Sequence, residues 1–391
     1  MKILHTSDWH LGRSFHGLGL LAVQGEWLDG LVDYVAAERV DAVLVAGDVY
    51  DRALPAVDVV ALLDRTLVRL TEAGARVILT SGNHDSAVRL GFGSRLLERA
   101  GVHLRTRVAE LDEPVLIGGT DGTQLAVYGL PYLEPRLVAG DLGVDEPGHT
   151  PVTRAALERV RADLAHRREG RPGPGLLHAV VMAHTFASGG VSAESERALA
   201  VGGLDVVSAE EFAGFDYVAL GHLHGRQKLT ETIRYSGSPL AYSFGEARQS
   251  KGAWLLDFDE TGLAAASEVG WTTSHRLEIL RGQLDELLSD PELSSAEGAC
   301  CQITLTDAER PQRAMERLRS RFPLTLSLHF DPVGGAELGS STYHTRLVGA
   351  RDDLEVCSGF LEHVRGRGPG ESERAALTRA LDAVRLEEAS R

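Results

Sequence analysis

Five short apolar runs in this chain each break into a cluster of Asp, His, Asn and Gly, and that repetition constrains the fold more than any other feature. The runs are Lys2 to His5, Ala42 to Ala46, Arg76 to Leu79, Ala179 to Ala183 and Tyr217 to Leu220. The clusters that follow them are Asp8-Trp9-His10, Gly47-Asp48, Gly82-Asn83-His84-Asp85, His184 and Gly221-His222-Leu223-His224. Runs of this length are strand-sized. Segments of helical periodicity near Gln24 to Glu38 and Ala56 to Thr71 separate the first three. Strands that alternate with helices predict an α/β layered domain, because crossover helices must cover the faces of buried strands. Polar clusters at the carboxyl ends of such strands gather at one sheet edge, where ligands bind.

Further along, Val115 to Gly118 and Leu125 to Gly129 read as a hairpin around Thr120-Asp121-Gly122-Thr123. A helix starting at Thr150-Pro151 carries Leu157, Val160 and Leu164 on one face and stops at the breaker between Gly170 and Gly175. Gln227 to Thr230, Ile233 to Tyr235, Trp254 to Asp257 and Ala264 to Val269 read as antiparallel strands of a second sheet. The expected fold is therefore a two-sheet α/β sandwich flanked by helices, over residues 1–270. Composition shifts near Trp271, and residues 271–332 read as strand, helix, strand, helix, strand, a small α/β cap with its own core. The Gly- and Ser-rich residues 333–353 read as a linker. Residues 354–391 hold two helices, the second with Leu377, Leu381, Val384 and Glu388 at helical spacing. Helices this short need something to dock on.

With 391 residues the chain is long enough for two or three units. No apolar stretch reaches the roughly 18 residues of a membrane span, and no basic segment followed by a long apolar run opens the chain, so a cytoplasmic location is expected. Cys300, Cys301 and Cys357 have neither disulfide-framework nor zinc-finger spacing and read as small core residues in a reducing compartment. The net charge of -16 weighs against tight, independent nucleic-acid binding, although a site holding divalent cations is locally positive whatever the overall charge.

The five clusters supply ligands for two metal ions. Asp48 follows a glycine that permits close backbone approach, and its two carboxylate oxygens suit it to bridge ions about 3.5–4 Å apart. One ion would take Asp8, His10, Asp48 and His224, the other Asp48, Asn83, His184 and His222. Mixed nitrogen and oxygen donors with open positions suit Mn²⁺, Fe or Zn²⁺ better than Ca²⁺. Two such ions attract a phosphate and lower the pKa of a bridging water, so that hydroxide attacks phosphorus near neutral pH. His84 stands where it can protonate the departing oxygen, with Asp51 or Asp85 as the acceptor that orients it. Arg13, Arg52 and Arg89 lie close enough in sequence to touch phosphate. His5, His103 and His178 read as core or surface histidines.

The ordered motifs D-x-H, GD, GNH[DE], H and GH-x-H resemble those of the calcineurin-like metallophosphoesterases. Ile3 to Gly12, Val40 to Ala42, Val45 to Asp51, Gly82 to Ser86, Ala219 to His224 and Tyr235 to Pro239 with Ser243-Phe244 are similar in particular to the family's bacterial double-strand-break repair nucleases. The resemblance is specific from Met1 to about Ser250. It implies a metallophosphoesterase sandwich, a DNA-facing cap over residues 271–332 and C-terminal helices at residues 354–391 that bind the coiled coil of an SMC-like ATPase. It implies two metal ions, Mn²⁺ first among them, and ATP used by the partner rather than by this chain. It also implies a homodimer completed by two ATPase subunits, working at the nucleoid as a 3′ to 5′ exonuclease on double-stranded ends and an endonuclease on hairpins. Relatives that place a histidine where this chain has Asp51 have a second catalytic histidine that is not carried over. Two other readings stay open: a stand-alone phosphatase or cyclic-nucleotide phosphodiesterase with the same metals, and a scaffold with little chemistry of its own.

Overall fold

The computed structural model describes residues 1–119, 122–169, 177–191, 206–271, 273–332, 353–365 and 367–389. Its contacts separate two units, Met1–Glu278 and Ile279–Arg391.

The first unit is built on two six-stranded sheets. One runs in the order Gly262–Gly270, Gly252–Asp259, Lys2–Thr6, Ala42–Ala46, Arg76–Thr80, Val102–Arg105. Its last four strands are parallel, and the Gly252–Asp259 strand lies antiparallel to Lys2–Thr6. The other runs Gln227–Lys228, Ile233–Tyr235, Tyr217–Gly221, Leu177–His184, Gln124–Gly129, Val115–Gly118. Ile3, Leu44, Ile78 and Leu256 of the first sheet pack with Val127, Val180, Met182 and Ala219 of the second in one buried cluster. The Ala42–Ala46 and Leu177–His184 strands are buried at every residue, as parallel strands covered on both faces must be.

Helices cover the outer faces. In Val57–Glu72 the buried residues Val59, Leu63, Thr66 and Leu70 recur every three or four positions, which turns one stripe inward. His149–Glu169 does the same for the second sheet with Val152, Ala156, Leu157, Val160 and Leu164, and begins one residue before the expected start.

Two expectations about the sheets are corrected. The strands around Trp254 to Asp257 and Ala264 to Val269 join the first sheet, not the second. Ile233–Tyr235 pairs parallel with Tyr217–Gly221, and only its pairing with Gln227–Lys228 is antiparallel. A strand's period reports which residues face inward and says nothing of the neighbour it pairs with. The helix Pro135–Leu142 and the two-residue strand pair Ser14–Phe15 and Leu18–Gly19 were not anticipated.

In the second unit, Cys300–Leu305 pairs parallel with Thr325–Phe330, and the strand Leu277–Gly282, which begins at the boundary, completes a three-stranded sheet. Leu284–Ser289 and Ala314–Arg321 supply Leu284, Leu287 and Leu318 to a core with Cys301, Ile303, Leu305 and Phe322. The helices Asp353–Arg365 and Glu371–Ala389 follow, joined by an Arg365–Glu373 ion pair at 2.8 Å. Cys300 and Cys301 are buried, Cys357 is half-buried, and all three are free thiols. The expected breaker from Gly170 to Gly175, the turn at Thr120-Asp121 and all of the expected linker 333–353 but its last residue lie outside the described residues; Asp353 opens the helix that follows. No helix among the described residues is long and apolar enough to cross a membrane.

Candidate metal centre

The polar clusters gather as expected, but from two sheets instead of one. Asp8, His10, Asp48 and Asn83 follow the ends of three parallel strands of the first sheet; His184, His222 and His224 stand at the ends of two parallel strands of the second. Reaching across that seam bends the chain into sparsely populated conformations. Asp8, His10, Asp48 and His222 all have positive φ, at 53°, 44°, 48° and 106°. Non-glycine residues held there cost energy, and such outliers concentrate at functional sites. Two glycines make the crowding possible. A Cβ on Gly47, itself at φ +83°, would stand 2.3 Å from His184 Nδ1, and one on Gly82 would stand 2.1 Å from Asp48 Oδ1.

The side chains meet in two overlapping groups. His10 Nε2 faces His224 Nε2 at 3.2 Å, and Asp8, His10 and His224 present ligand atoms within 4.8 Å of one another. Asn83 Oδ1 lies 2.9 Å from His184 Nε2 and 3.2 Å from His222 Nδ1. Between the groups sits Asp48, whose Oδ2 is 3.5 Å from His10 Nε2 and 3.4 Å from His184 Nε2. The donor set fits divalent cations. The facing Nε2 lone pairs of His10 and His224 need either a shared proton or a cation between them, and imidazoles with carboxylate and amide oxygens are what Mn²⁺, Fe and Zn²⁺ accept.

His84 lies beside both groups. Its main-chain N–H donates to Asp48 Oδ1 at 2.9 Å, and its ring packs edge-on against His10, centroids 4.7 Å apart. Its Nδ1 meets the main-chain carbonyl of Asp51 at 3.0 Å, so neither the Asp51 nor the Asp85 carboxylate orients the ring. The Asp51 carboxylate instead takes Arg13 at 2.9 Å and stands 3.5 Å from His10 Nδ1. The Asp85 carboxylate accepts three main-chain N–H groups, from Val49, Tyr50 and Gly82, at 3.0, 2.9 and 2.9 Å. It ties the loop of Asp48 to the loop of Asn83. Arg52 is exposed and 3.8 Å from Asp51. Arg89, also exposed, bonds the Ala53 carbonyl.

Residues that sequence reasoning passed over hold the ligand loops from behind. Gln24 Nε2 donates to the carbonyls of Trp9 and His10, its Oε1 accepts from Gly12 N–H, and Tyr242 donates to the Trp9 carbonyl. Ser7 bridges Asp8 and Ser236. The buried Glu246 stands against His224 and pairs with Lys251. The three histidines set aside have partners elsewhere: His5 with Tyr217 and the Leu220 carbonyl, His103 with Glu98, His178 with Asp216.

Burial and mutual charge spread the acidities of the cluster widely. Burial lowers the pKa of His10 to about 4 and of His222 to about 3. His184 is also lowered by burial, but the Asp48 carboxylate outweighs this and raises it to about 9. Asp48 is pushed up by burial yet held below the usual carboxylate range by His184, His10 and His84. Asp8 is raised to about 6 by burial. Groups of one kind driven this far apart inside one cluster mark a functional site.

Residues 1–226 match the calcineurin-like phosphoesterase family. This chain belongs to that family. Two curated relatives both carry the name of the SbcD component of the nuclease SbcCD. One, from Staphylococcus epidermidis, is 29% identical over 333 residues and covers 84% of this chain and 85% of its own. The other, from Staphylococcus saprophyticus subsp. saprophyticus, is 28% identical over 405 residues and covers 100% of both. A crystal structure of a dimetal phosphatase from Danio rerio aligns at a TM-score of 0.41 and 13% identity, covering 70% of this chain and 99% of that one. The family is one of phosphoesterases that use divalent metals, and the buried Asp and His groups described above are the residues of this chain that could hold them.

Proposed function

We propose that this chain is the nuclease subunit of an ATP-dependent DNA end-processing complex, acting 3′ to 5′ on double-stranded ends and cutting hairpins. The observation that carries the two-ion chemistry is Asp48 Oδ2, nearly equidistant from the Nε2 atoms of His10 and His184; the nuclease reading is supported by the two SbcCD relatives. Asp8, His10, Asp48 and His224 would hold one ion; Asp48, Asn83, His184 and His222 the other, with Mn²⁺ as the proposed metal. When bound, two divalent ions neutralise phosphate oxygens and acidify water. Asp48 keeps the two groups in register, and Asp85 keeps the loops of Asp48 and Asn83 together. His84 donates Nδ1–H to the Asp51 carbonyl, which turns Nε2 away from that loop; in the doubly protonated ring the second proton, on Nε2, can pass to the oxygen that departs from phosphorus and leave the neutral imidazole behind. Arg13, braced by Asp51 and packed on Tyr242, and the exposed Arg52 and Arg89 are proposed to meet the flanking phosphates.

The partner proposed is an SbcC-type, SMC-like ATPase. It would use the ATP and add DNA-binding surface to a chain whose net charge is -16. Residues 271–332 are proposed as the DNA-facing cap and the helices from 354 as the dock for the partner's coiled coil. A homodimer is supported by Leu54, Val57, Val88, Phe92 and Leu96, large apolar side chains 71–87% exposed on two stretches that Arg89 links. The proposed location is the cytoplasm, at the nucleoid.

The test is cleavage of an end-labelled hairpin duplex by the purified chain in Mn²⁺, with and without the ATPase, beside His84→Ala. Metal-dependent cleavage that falls 10²–10⁴-fold in the variant and responds to ATP with the partner is the expected result. No DNA cleavage, with turnover of a small phosphodiester intact, would replace this reading with a stand-alone phosphatase or cyclic-nucleotide phosphodiesterase.

A further inference from the structure

We infer that Glu246 is a positioning residue for His224, fixing its ring so that Nε2 faces the position shared with His10 and Asp8; the inference rests on the two-ion reading above. Glu246 is 0% exposed and ends the one-turn 3-10 helix Phe244–Glu246. Its Oε1 lies 3.4 Å from His224 Nδ1 and accepts from Ser243 Oγ at 2.8 Å. Its Oε2 accepts from the Tyr242 N–H at 3.2 Å and from Lys251 Nζ at 2.5 Å. Lys251 Nζ reaches further, to the His224 carbonyl at 2.8 Å and Ser238 Oγ at 3.1 Å. His224 is thus gripped twice, at its ring by Glu246 and at its main chain by the lysine that Glu246 pairs with.

A buried ion pair is expensive to desolvate, and packing alone would favour apolar residues there. What the pair does is geometric. Lys251 Nζ and the Tyr242 N–H donate to its Oε2 and Ser243 Oγ donates to its Oε1, so both oxygens act as acceptors. A carboxylate accepting on both oxygens also takes Nδ1–H of His224 and selects the tautomer whose Nε2 carries the lone pair. That Nε2 is the atom 3.2 Å from His10 Nε2. Tyr242 packs edge-on against both His10 and His224, centroids at 5.4 and 5.6 Å, and so narrows the rotations left to the pair. Carboxylates behind ligating histidines are known to tune metal affinity in this way.

The inference is tested by Mn²⁺ titration of the full chain, reading equivalents and affinities directly, for wild type, Glu246→Gln and Glu246→Ala. Since Ala leaves Lys251 buried without its carboxylate, Glu246→Ala combined with Lys251→Met is measured beside it. The wild type is expected to take two equivalents. In both Ala variants one equivalent should weaken 10–100-fold while the other stays within threefold. Glu246→Gln, whose amide oxygen still accepts from Nδ1–H, should fall between. A merely structural role would weaken both equivalents in parallel with the thermal midpoint, and that result, or two undiminished equivalents in the Ala variants, overturns the inference. A wild type that takes up no Mn²⁺ overturns the two-ion reading itself and this inference with it.

Discussion

Asp85→Ala should destabilise the first unit by about 3–5 kcal/mol, although Asp85 is not among the proposed ligands. Its two oxygens accept three main-chain N–H groups: Val49 and Gly82 share Oδ2, and Tyr50 takes Oδ1. A buried donor stripped of its acceptor costs about 1–3 kcal/mol. Three of them set the scale, and the low half applies because removing the carboxyl also relieves its burial beside Asp48, which raises its pKa to about 7. Asp85→Asn separates the contributions. Its one remaining oxygen can keep Val49 and Gly82, while its amide nitrogen cannot accept from Tyr50, so about 1–3 kcal/mol should be lost. Urea unfolding in EDTA at pH 8 measures both variants without metal linkage. Mn²⁺ titration of the folded variants should show weaker uptake in the Ala variant, because the released N–H groups flank Asp48 and Asn83. A loss below about 1 kcal/mol in Asp85→Ala, or equal losses in Ala and Asn, would refute the accounting.

His5, fully buried between the sheets, is held neutral, its pKa lowered by burial from 6.5 to about 3. The unfolded chain therefore takes up a proton that the folded chain refuses, and the stability His5 contributes is present above pH 6.5 and lost as pH falls towards 3. Between pH 7 and 5 the loss is about 2 kcal/mol, which His5→Gln should lack when the two proteins are unfolded in EDTA at both values. Gly47→Ala places a Cβ against His184 at positive φ and should cost about 2–5 kcal/mol together with Mn²⁺ uptake; unchanged uptake would show that the loop can shift. Deleting residues 354–391 should leave hydrolysis of a small phosphodiester within twofold while abolishing co-purification with the ATPase partner, and retained co-purification would move the dock elsewhere.

The strand ends were legible in the sequence because each apolar run stops at residues that only a ligand site or a turn rewards, and the structure brings all seven side chains together. Sheet membership was not legible. Gly252–Asp259 carries the apolar character of a core strand, yet nothing in its residues says that Lys2–Thr6 is its neighbour, more than 240 positions earlier. The same distance hid the supports. Gln24 is an ordinary helix residue until Tyr242 and the Trp9 and His10 carbonyls are placed around it. His84 is held by a main-chain carbonyl, a group that every residue has and no sequence pattern marks.

The first strand of the chain is also among the last to be completed. The partner on one side of Lys2–Thr6, Ala42–Ala46, is synthesised soon after it, but the partner of its other edge, Gly252–Asp259, is made more than 240 residues later. At ribosomal elongation rates of about 5–20 residues per second, that edge stands open for roughly 12–50 s. During synthesis the nascent chain therefore carries an unpaired, apolar strand edge directly beside the half-built Asp8 loop, open to pairing with other nascent chains. Asp8 and His10 are the first ligands made, yet the strand that leads to them is closed into its sheet only after His224 has emerged. A chaperone that shields this amino-terminal edge should raise the yield of metal-competent protein more than one added after synthesis ends.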